Sequence, residues 1–356
     1  MSKVRFDPLG VFSLKERSLL FALRDRVLAD PLPFDASAVA NCSNLFFMHP
    51  SVFAKVISSG SRSAIAHLVN GWGNFTLDGK TGVDYLFDDC NLDGFSVTIP
   101  QSPGRADSDY HPWQSFAYSS MAGIEPEQKL PRLGLTLRTL AINSRSITVD
   151  HRAGDEDLGH LLFAAAHVVP DPNFEFFIDG RTVSLANLIK RAYVANAQEN
   201  SNSHVCSRYH LTEGLCAATA LIPGAQIYHA DVQSLLDLQS LRVYPLVAFL
   251  HRLISNPLNS TNLNDILFHA GHLLETFSFA RKFGYTIPDD ARCCLDYCVH
   301  LIGERYWRYF DFSNYHLFAH LRRGVTFKTA LDLADLGATA YDNIALSDYC
   351  VTIEGK

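Results

Sequence analysis

The sequence predicts a mainly helical protein, and three observations carry that prediction. From about residue 111 onward, apolar residues recur with a helical period in successive stretches of 10–24 residues. Short loops with strong helix breakers separate these stretches: Pro131, Pro170-Asp171-Pro172, Asn200-Ser201-Asn202, Pro223-Gly224, Pro257 and Pro288. No Gly/Ser linker or low-complexity run divides the 356 residues, of which 47% are AVILMFWYC. That apolar content can bury one large core, so residues 1–356 read as a single helical domain.

In chain order, residues 14–29 form an amphipathic pattern ended by Asp30-Pro31-Leu32-Pro33, and 35–70 read as two or three short helices. Residues 71–110 depart from the pattern. Gly71, Gly73, Gly79, Gly82, Gly94 and Gly104, with repeated Asp, supply turn chemistry, and Phe95–Ile99 is a candidate strand. This is an irregular or short β excursion. Helices are then expected over 112–122, 134–143, 156–168, 183–198, 207–221, 231–254, 261–283, 288–308, 313–322 and 326–346. Ser184 and Asp289 are plausible N-caps. The segment 173–183 carries a strand–turn signal.

Composition bounds the partners. A net charge of −7 and a pI near 6.1 disfavour phosphate backbones and anionic membranes, so no nucleic acid and no membrane are expected. Arg322-Arg323 is the tightest basic pair and reads as an ordinary helix end. No apolar run reaches spanning length, and the N-terminal stretch lacks the apolar core of a signal peptide. A cytoplasmic location is the expectation. Eight cysteines in a chain this long are not a disulfide framework. Cys293, Cys294 and Cys298 lack the second Cys-x-x-Cys of a zinc site and read as buried thiols.

A phrase built on His recurs: Ala66-His67-Leu68, Tyr110-His111-Pro112, Gly159-His160-Leu161, Tyr209-His210-Leu211, Gly271-His272-Leu273 and Tyr315-His316-Leu317. The separations are 44, 49, 50, 62 and 44 residues, near the length of a helical hairpin with its loops. His300-Leu301 and His320-Leu321 match the phrase outside this register. Six hairpins can close on themselves, and in that respect the chain resembles the α/α-toroid enzymes, which include polysaccharide lyases, N-acylglucosamine epimerases, unsaturated-glycuronyl hydrolases and lanthionine or terpene cyclases. The resemblance is one of architecture. It implies an α/α toroid or a related helical-hairpin array whose inner helices present aromatic and titratable side chains to a central cavity. It transfers no catalytic motif, because no family's motif is matched residue by residue.

The candidate chemistry lies on the His-rich helices. On 261–283, His269, His272 and Glu275 are three apart and share a face. Imidazole and carboxylate suit Zn or Fe, so these three form a candidate metal set, and a divalent metal is the one cofactor the residues point to. His210-x-x-Glu213 repeats the pairing on another helix. His272, Glu275, His210 and Glu213 are therefore the candidate acid–base residues: His titrates near neutrality, and a carboxylate orients it. A second dense patch runs from a polar loop into a helix opening at Pro112. There Asp109, His111, Trp113 and Gln114 resemble a binding rim, with polar groups to fix a ligand and an aromatic to cover it. His316 is the remaining substrate-binding candidate. His160 and His167 flank an apolar run and read as structural. The leading expectation is an enzyme, of lyase, isomerase or hydrolase type, using His/Glu acid–base chemistry in a central cavity on a small polar or sugar-like molecule, with or without a metal. A metal-dependent iron oxygenase uses the same residues. A non-catalytic helical-repeat binding protein is the reading from a different class, and it requires the polar stripe to face an open groove.

Overall fold

The computed structural model describes residues 56–58, 62–87, 113–131, 133–148, 158–178, 180–197, 205–241, 243, 260–301 and 319–324, together with strand residues 5–6, 97–98 and 351–352. The strands are β1 (Arg5–Phe6), β2 (Thr76–Leu77), β3 (Lys80–Thr81), β4 (Val97–Thr98), β5 (Ser146–Thr148), β6 (Glu175–Ile178), β7 (Arg181–Ser184) and β8 (Val351–Thr352). The helices are α1 (Arg62–Trp72), α2 (Gly82–Leu86), α3 (Gln114–Met121), α4 (Leu137–Asn143), α5 (Leu158–Val168), α6 (Leu185–Ala197), α7 (Val205–Leu221), α8 (His229–Ser240), α9 (Ser260–Lys282) and α10 (Asp289–Leu301). Residues 319–324 form a further helical piece, α11. The described part is mainly α, as the apolar periodicity requires.

Several elements follow from local chemistry. Thr81 caps α2 through a reciprocal box: its hydroxyl accepts from the Asp84 N–H while the Asp84 carboxylate accepts from the Thr81 N–H. Thr136 caps α4 through a one-way bond, its hydroxyl accepting from the Thr139 N–H. Gly284, at φ +85, turns the chain between α9 and α10. The excursion at 71–110 contains the hairpin β2–β3 around Asp78-Gly79, then α2, then β4, the strand expected near 95–99. The signal at 173–183 is the hairpin β6–β7, turned at Gly180 (φ +73). β5 had no strand signal in the sequence. It pairs in parallel with β4 and β6, giving the sheet order β4-β5-β6-β7. A second sheet, β3-β2-β1-β8, is antiparallel throughout. The expected helices at 14–29 and 326–346 lie outside the described residues.

Helix packing places the site. α1 packs on α3, α3 on α5, α5 on α7, and α7 on α9. α9 then meets α11, and α11 meets α1, so among the described residues the contacts close through six helices. The even-numbered helices α2, α4, α6 and α8 each pack against a member of that ring.

The ring is tight because small residues flank the recurring His. A Cβ on Gly159, the residue before His160, would lie 2.4 Å from the His210 carbonyl carbon, and one on Gly214, four after His210, would lie 2.5 Å from the Gly159 oxygen. The same meeting recurs between α9 and α11, where a Cβ on Gly271 would be 2.6 Å from the Leu321 nitrogen and one on Gly324 would be 2.8 Å from the Gly271 oxygen. It recurs again between α11 and α1, where a Cβ on Gly71 would be 2.9 Å from Ala319 Cα. In each case the residue before one His abuts the glycine four residues after another. The Leu of each phrase (Leu68, Leu161, Leu211, Leu273, Leu321) is buried in the core.

Because backbone atoms crowd these glycines, Gly159→Ala and Gly271→Ala should each destabilise the protein by about 1–3 kcal/mol through overpacking. Urea denaturation of each variant measures this. An unchanged midpoint would mean that the helices are farther apart than described here.

Candidate functional site

Five of the recurring histidines meet inside the ring: His67 from α1, His160 from α5, His210 from α7, His272 from α9 and His320 from α11. All five are buried. Their rings form a continuous cluster: His160 and His210 lie 4.3 Å apart between centroids, His210 and His320 5.0 Å, His272 and His320 4.0 Å, and His67 and His320 5.2 Å. Tyr118 from α3 stands against four of them.

Among the described residues, one ring nitrogen from each of His210, His272 and His320 lies within 4.8 Å of the other two. The partner of Nδ1 on each ring decides which nitrogen faces the shared space. His210 Nδ1 is 3.0 Å from Glu213 Oε2, and His320 Nδ1 is 2.6 Å from Glu275 Oε2. His272 Nδ1 donates to the Phe268 carbonyl at 2.8 Å. A carbonyl only accepts, so His272 carries its proton on Nδ1 and a lone pair on Nε2. With all three Nδ1 atoms engaged, Nε2 is the nitrogen each ring keeps for a further partner. His210 Nε2 is buried and has no hydrogen-bond partner among the described residues.

The carboxylates are themselves held from neighbouring helices. Thr276 Oγ1 donates to Glu213 Oε1 at 2.7 Å, and Asn70 Nδ2 donates to Glu275 Oε1 at 3.2 Å. Two chains of the same form result, Thr276–Glu213–His210 and Asn70–Glu275–His320. This is the outer arrangement that fixes ring orientation and raises ligand basicity around a metal. His272 is held by packing: Phe268 lies 4.2 Å from its centroid and Tyr209 5.3 Å.

Burial sets the electrostatics. It pushes the Glu213 carboxyl up to about 8, against the opposing pulls of the Thr276 hydrogen bond and Arg323. It pushes Glu275 up to about 8 as well, with Glu213 adding repulsion and Arg323, His210 and Asn70 opposing. His210 is drawn down to about 4 by desolvation, partly offset by Glu275. The Glu213–His210 pair therefore shares one proton near neutrality. A cation at Nε2 would draw that proton onto Nδ1 and leave the carboxylate ionised.

The residues named from sequence are distributed as follows. His210, Glu213, His272 and Glu275 come together at the ring centre. His269 does not join them. It sits at the margin, 3.4 Å from the Tyr209 hydroxyl, one 60° step around the helix from His272. Glu275 meets the site through His320. Trp113 is fully buried against Phe116 and Phe176, at 5.0 and 5.2 Å, as part of the apolar core. Gln114 is buried at the ring, accepting from Ser63 Oγ at 3.3 Å and lying 3.5 Å from His67 Nε2. Asp109, His111 and His316 lie outside the described residues, as do the side chains of Cys298 and His300.

Three readings change. His160 stands in the cluster, not in a purely structural setting. Arg322 and Arg323 are buried, and Arg323 donates to the Val69 and Asn70 carbonyls, so the pair is no ordinary exposed helix end. Cys293 is exposed, whereas Cys216 is buried. Sequence reasoning missed His320, Asn70, Thr276 and Tyr118 as members of the site. His320-Leu321 did carry the phrase, and the four-residue offset from His316 displaced it. The glycine four residues after the His, in Gly71, Gly214 and Gly324, was the signal that would have placed it. Comparison with protein-family models, curated proteins and solved structures gives no match.

The raised carboxyls give a pH test on metal-free protein. The folded state keeps protons on Glu213 and Glu275 up to about 8, whereas the unfolded chain releases them near 4.5. Stability held below pH 4.5 is thus lost as pH rises toward 8. Between pH 7 and 8 His210, drawn down to about 4, is neutral in the folded state. In that window the chelator-treated protein should lose stability at up to about 1 kcal/mol per pH unit for each carboxyl, and Glu213→Gln should reduce the slope. Denaturation series at three pH values measure it, and a flat profile would contradict the assignment.

Proposed function

We propose that the chain is a metal-dependent enzyme in which His210, His272 and His320 bind one divalent first-row ion, Zn or Fe, through Nε2. One observation carries this reading: three imidazoles from three helices converge while each Nδ1 is engaged by a carboxylate or carbonyl that orients Nε2 inward. Three nitrogens no more than 4.8 Å apart leave an ion at their centre about 2.8 Å from each, and ring shifts of less than about 1 Å bring that to the 2.0–2.1 Å of a Zn–N bond. Three protein ligands leave a further coordination position open, the pattern of catalytic and not structural zinc sites.

The six contacting helices, with the even-numbered helices packed against them, support an α/α toroid with the ion at its centre. They favour an enclosed site over the open groove that a helical-repeat binding protein requires. The ion supplies Lewis acidity, and Glu213 and Glu275 hold or move a proton at the Nδ1 edges of His210 and His320. This supports lyase, isomerase or hydrolase chemistry on a small polar molecule.

Full-length protein purified without chelator should hold close to one equivalent of Zn, Fe or Mn by elemental analysis. His272→Ala and His210→Ala should lose it, while His269→Ala should keep it. Added Zn at about 100 times its Kd should stabilise the metal-free wild type by about 2.7 kcal/mol. Absence of both stoichiometric metal and a thermal shift with Zn, Fe(II), Mn(II) and Co(II) would sink the proposal.

A further inference from the structure

Among the described residues, the large exposed apolar side chains are not spread evenly over the surface. Five of the six gather in one region: Val194 lies on α6, Leu221 ends α7, Ile227 is in the turn before α8, and Leu238 and Leu241 stand at the far end of α8. Ile227 is 76% exposed and Leu238 63%. α6 and α8 are neighbours in the outer layer. Both pack on α7 and they touch each other, with the Tyr193 and Tyr228 rings 5.9 Å apart between centroids. On α8 the exposed residues Ala230, Ser234, Leu238 and Leu241 follow at three- and four-residue steps, opposite the buried Val232, Leu236 and Gln239. A helix of this kind buries one apolar stripe and turns polar residues outward. α8 turns two leucines outward as well.

The two helices differ in charge. Lys190 and Arg191 are the charged residues of α6, and both are exposed. Asp231 and Asp237 are the carboxylates of α8, which has no Lys or Arg, and both are exposed. A surface with a cationic helix beside an anionic one is complementary to itself. A two-fold axis running between α6 and α8 lays α6 of one copy on α8 of the other, so both contacts join opposite charges and cover the exposed leucines. Laying α6 on α6 would join like charges, so the charge pattern selects the first arrangement.

We propose that this face is a self-association site, on which a second copy of the chain docks across a two-fold axis with α6 against α8. Helices of 13 and 12 residues give a footprint of about 20 Å by 20 Å per copy, at the small end of specific interfaces. The dimer is therefore weak and reversible, and it forms in the micromolar range. It uses outer helices and does not depend on the metal reading above.

Sedimentation velocity on full-length protein across the micromolar range should show a monomer–dimer equilibrium whose dissociation constant rises with salt. Leu238→Glu should raise that constant by about tenfold or more, because an apolar contact is replaced by a charge withdrawn from water. Lys190→Glu alone should weaken the dimer by about threefold or more, and so should Asp231→Lys with Asp237→Lys. Combining all three charge reversals in one chain exchanges the signs of the two helices and should restore the dimer, a rescue that general damage to the fold would not give. A monomer at every concentration would overturn the inference, the face then being covered by another segment of the chain or a different partner. A dimer that Leu238→Glu and the charge reversals leave unchanged would overturn it too, since it would associate through another surface. Failure of the combined exchange to restore what the separate reversals lose would overturn the placing of α6 on α8.

Discussion

Glu275 ties three helices together. It sits on α9, meets His320 of α11 at 2.6 Å, and accepts from Asn70 of α1 at 3.2 Å. A carboxylate fully withdrawn from water costs several kcal/mol unless charge and hydrogen bonds offset it. Here those partners come from elements 205 and 45 residues away in sequence. The group is therefore satisfied only if α1, α9 and α11 are all in place. Glu213 repeats this logic between α7 and α9 through Thr276. Breaking either connection strands a buried polar group, a larger penalty than the bond's own net worth.

Close packing and polar connection act on the same residues. The small residue before one His and the glycine four after another let helix backbones approach until imidazoles from five helices meet. A Cβ on Gly71, Gly159, Gly214, Gly271 or Gly324 would meet the facing helix at under 3 Å and force the backbones apart. The Leu after each His turns into the apolar core, so one short phrase supplies a wedge, a core anchor and a centre-facing group together. Phe268 and Tyr209 wall His272, which limits its ring rotation.

Much of the fold was legible in local pattern. The helices from α3 to α10 follow the apolar period and its breakers, and both hairpins follow glycine-bearing turns. β5 was not legible, because three residues pairing in parallel with β4 and β6 leave no local period. For the site, His210, Glu213, His272 and Glu275 stood out through His-x-x-Glu spacing, which a helix turns into proximity. His269 stood out for the same reason and lies aside, since a 60° step that one helix face tolerates is enough to leave a centre shared by several helices. Trp113 and Gln114 adjoin in sequence yet serve different surroundings, one the apolar core and the other the polar ring.

By itself the sequence determined the helical class, the approximate place of most described helices and the recurrence of a His-Leu phrase, because each depends on residues within a few turns of one another. Only the tertiary structure decided which copies of the phrase meet, that His320 belongs among them, and which ring nitrogen each imidazole presents. Those outcomes depend on partners as distant as Asn70, Glu275 and His320. Their pairing is set by helix packing and by the cost of leaving a buried polar group unsatisfied, and no local spacing encodes either.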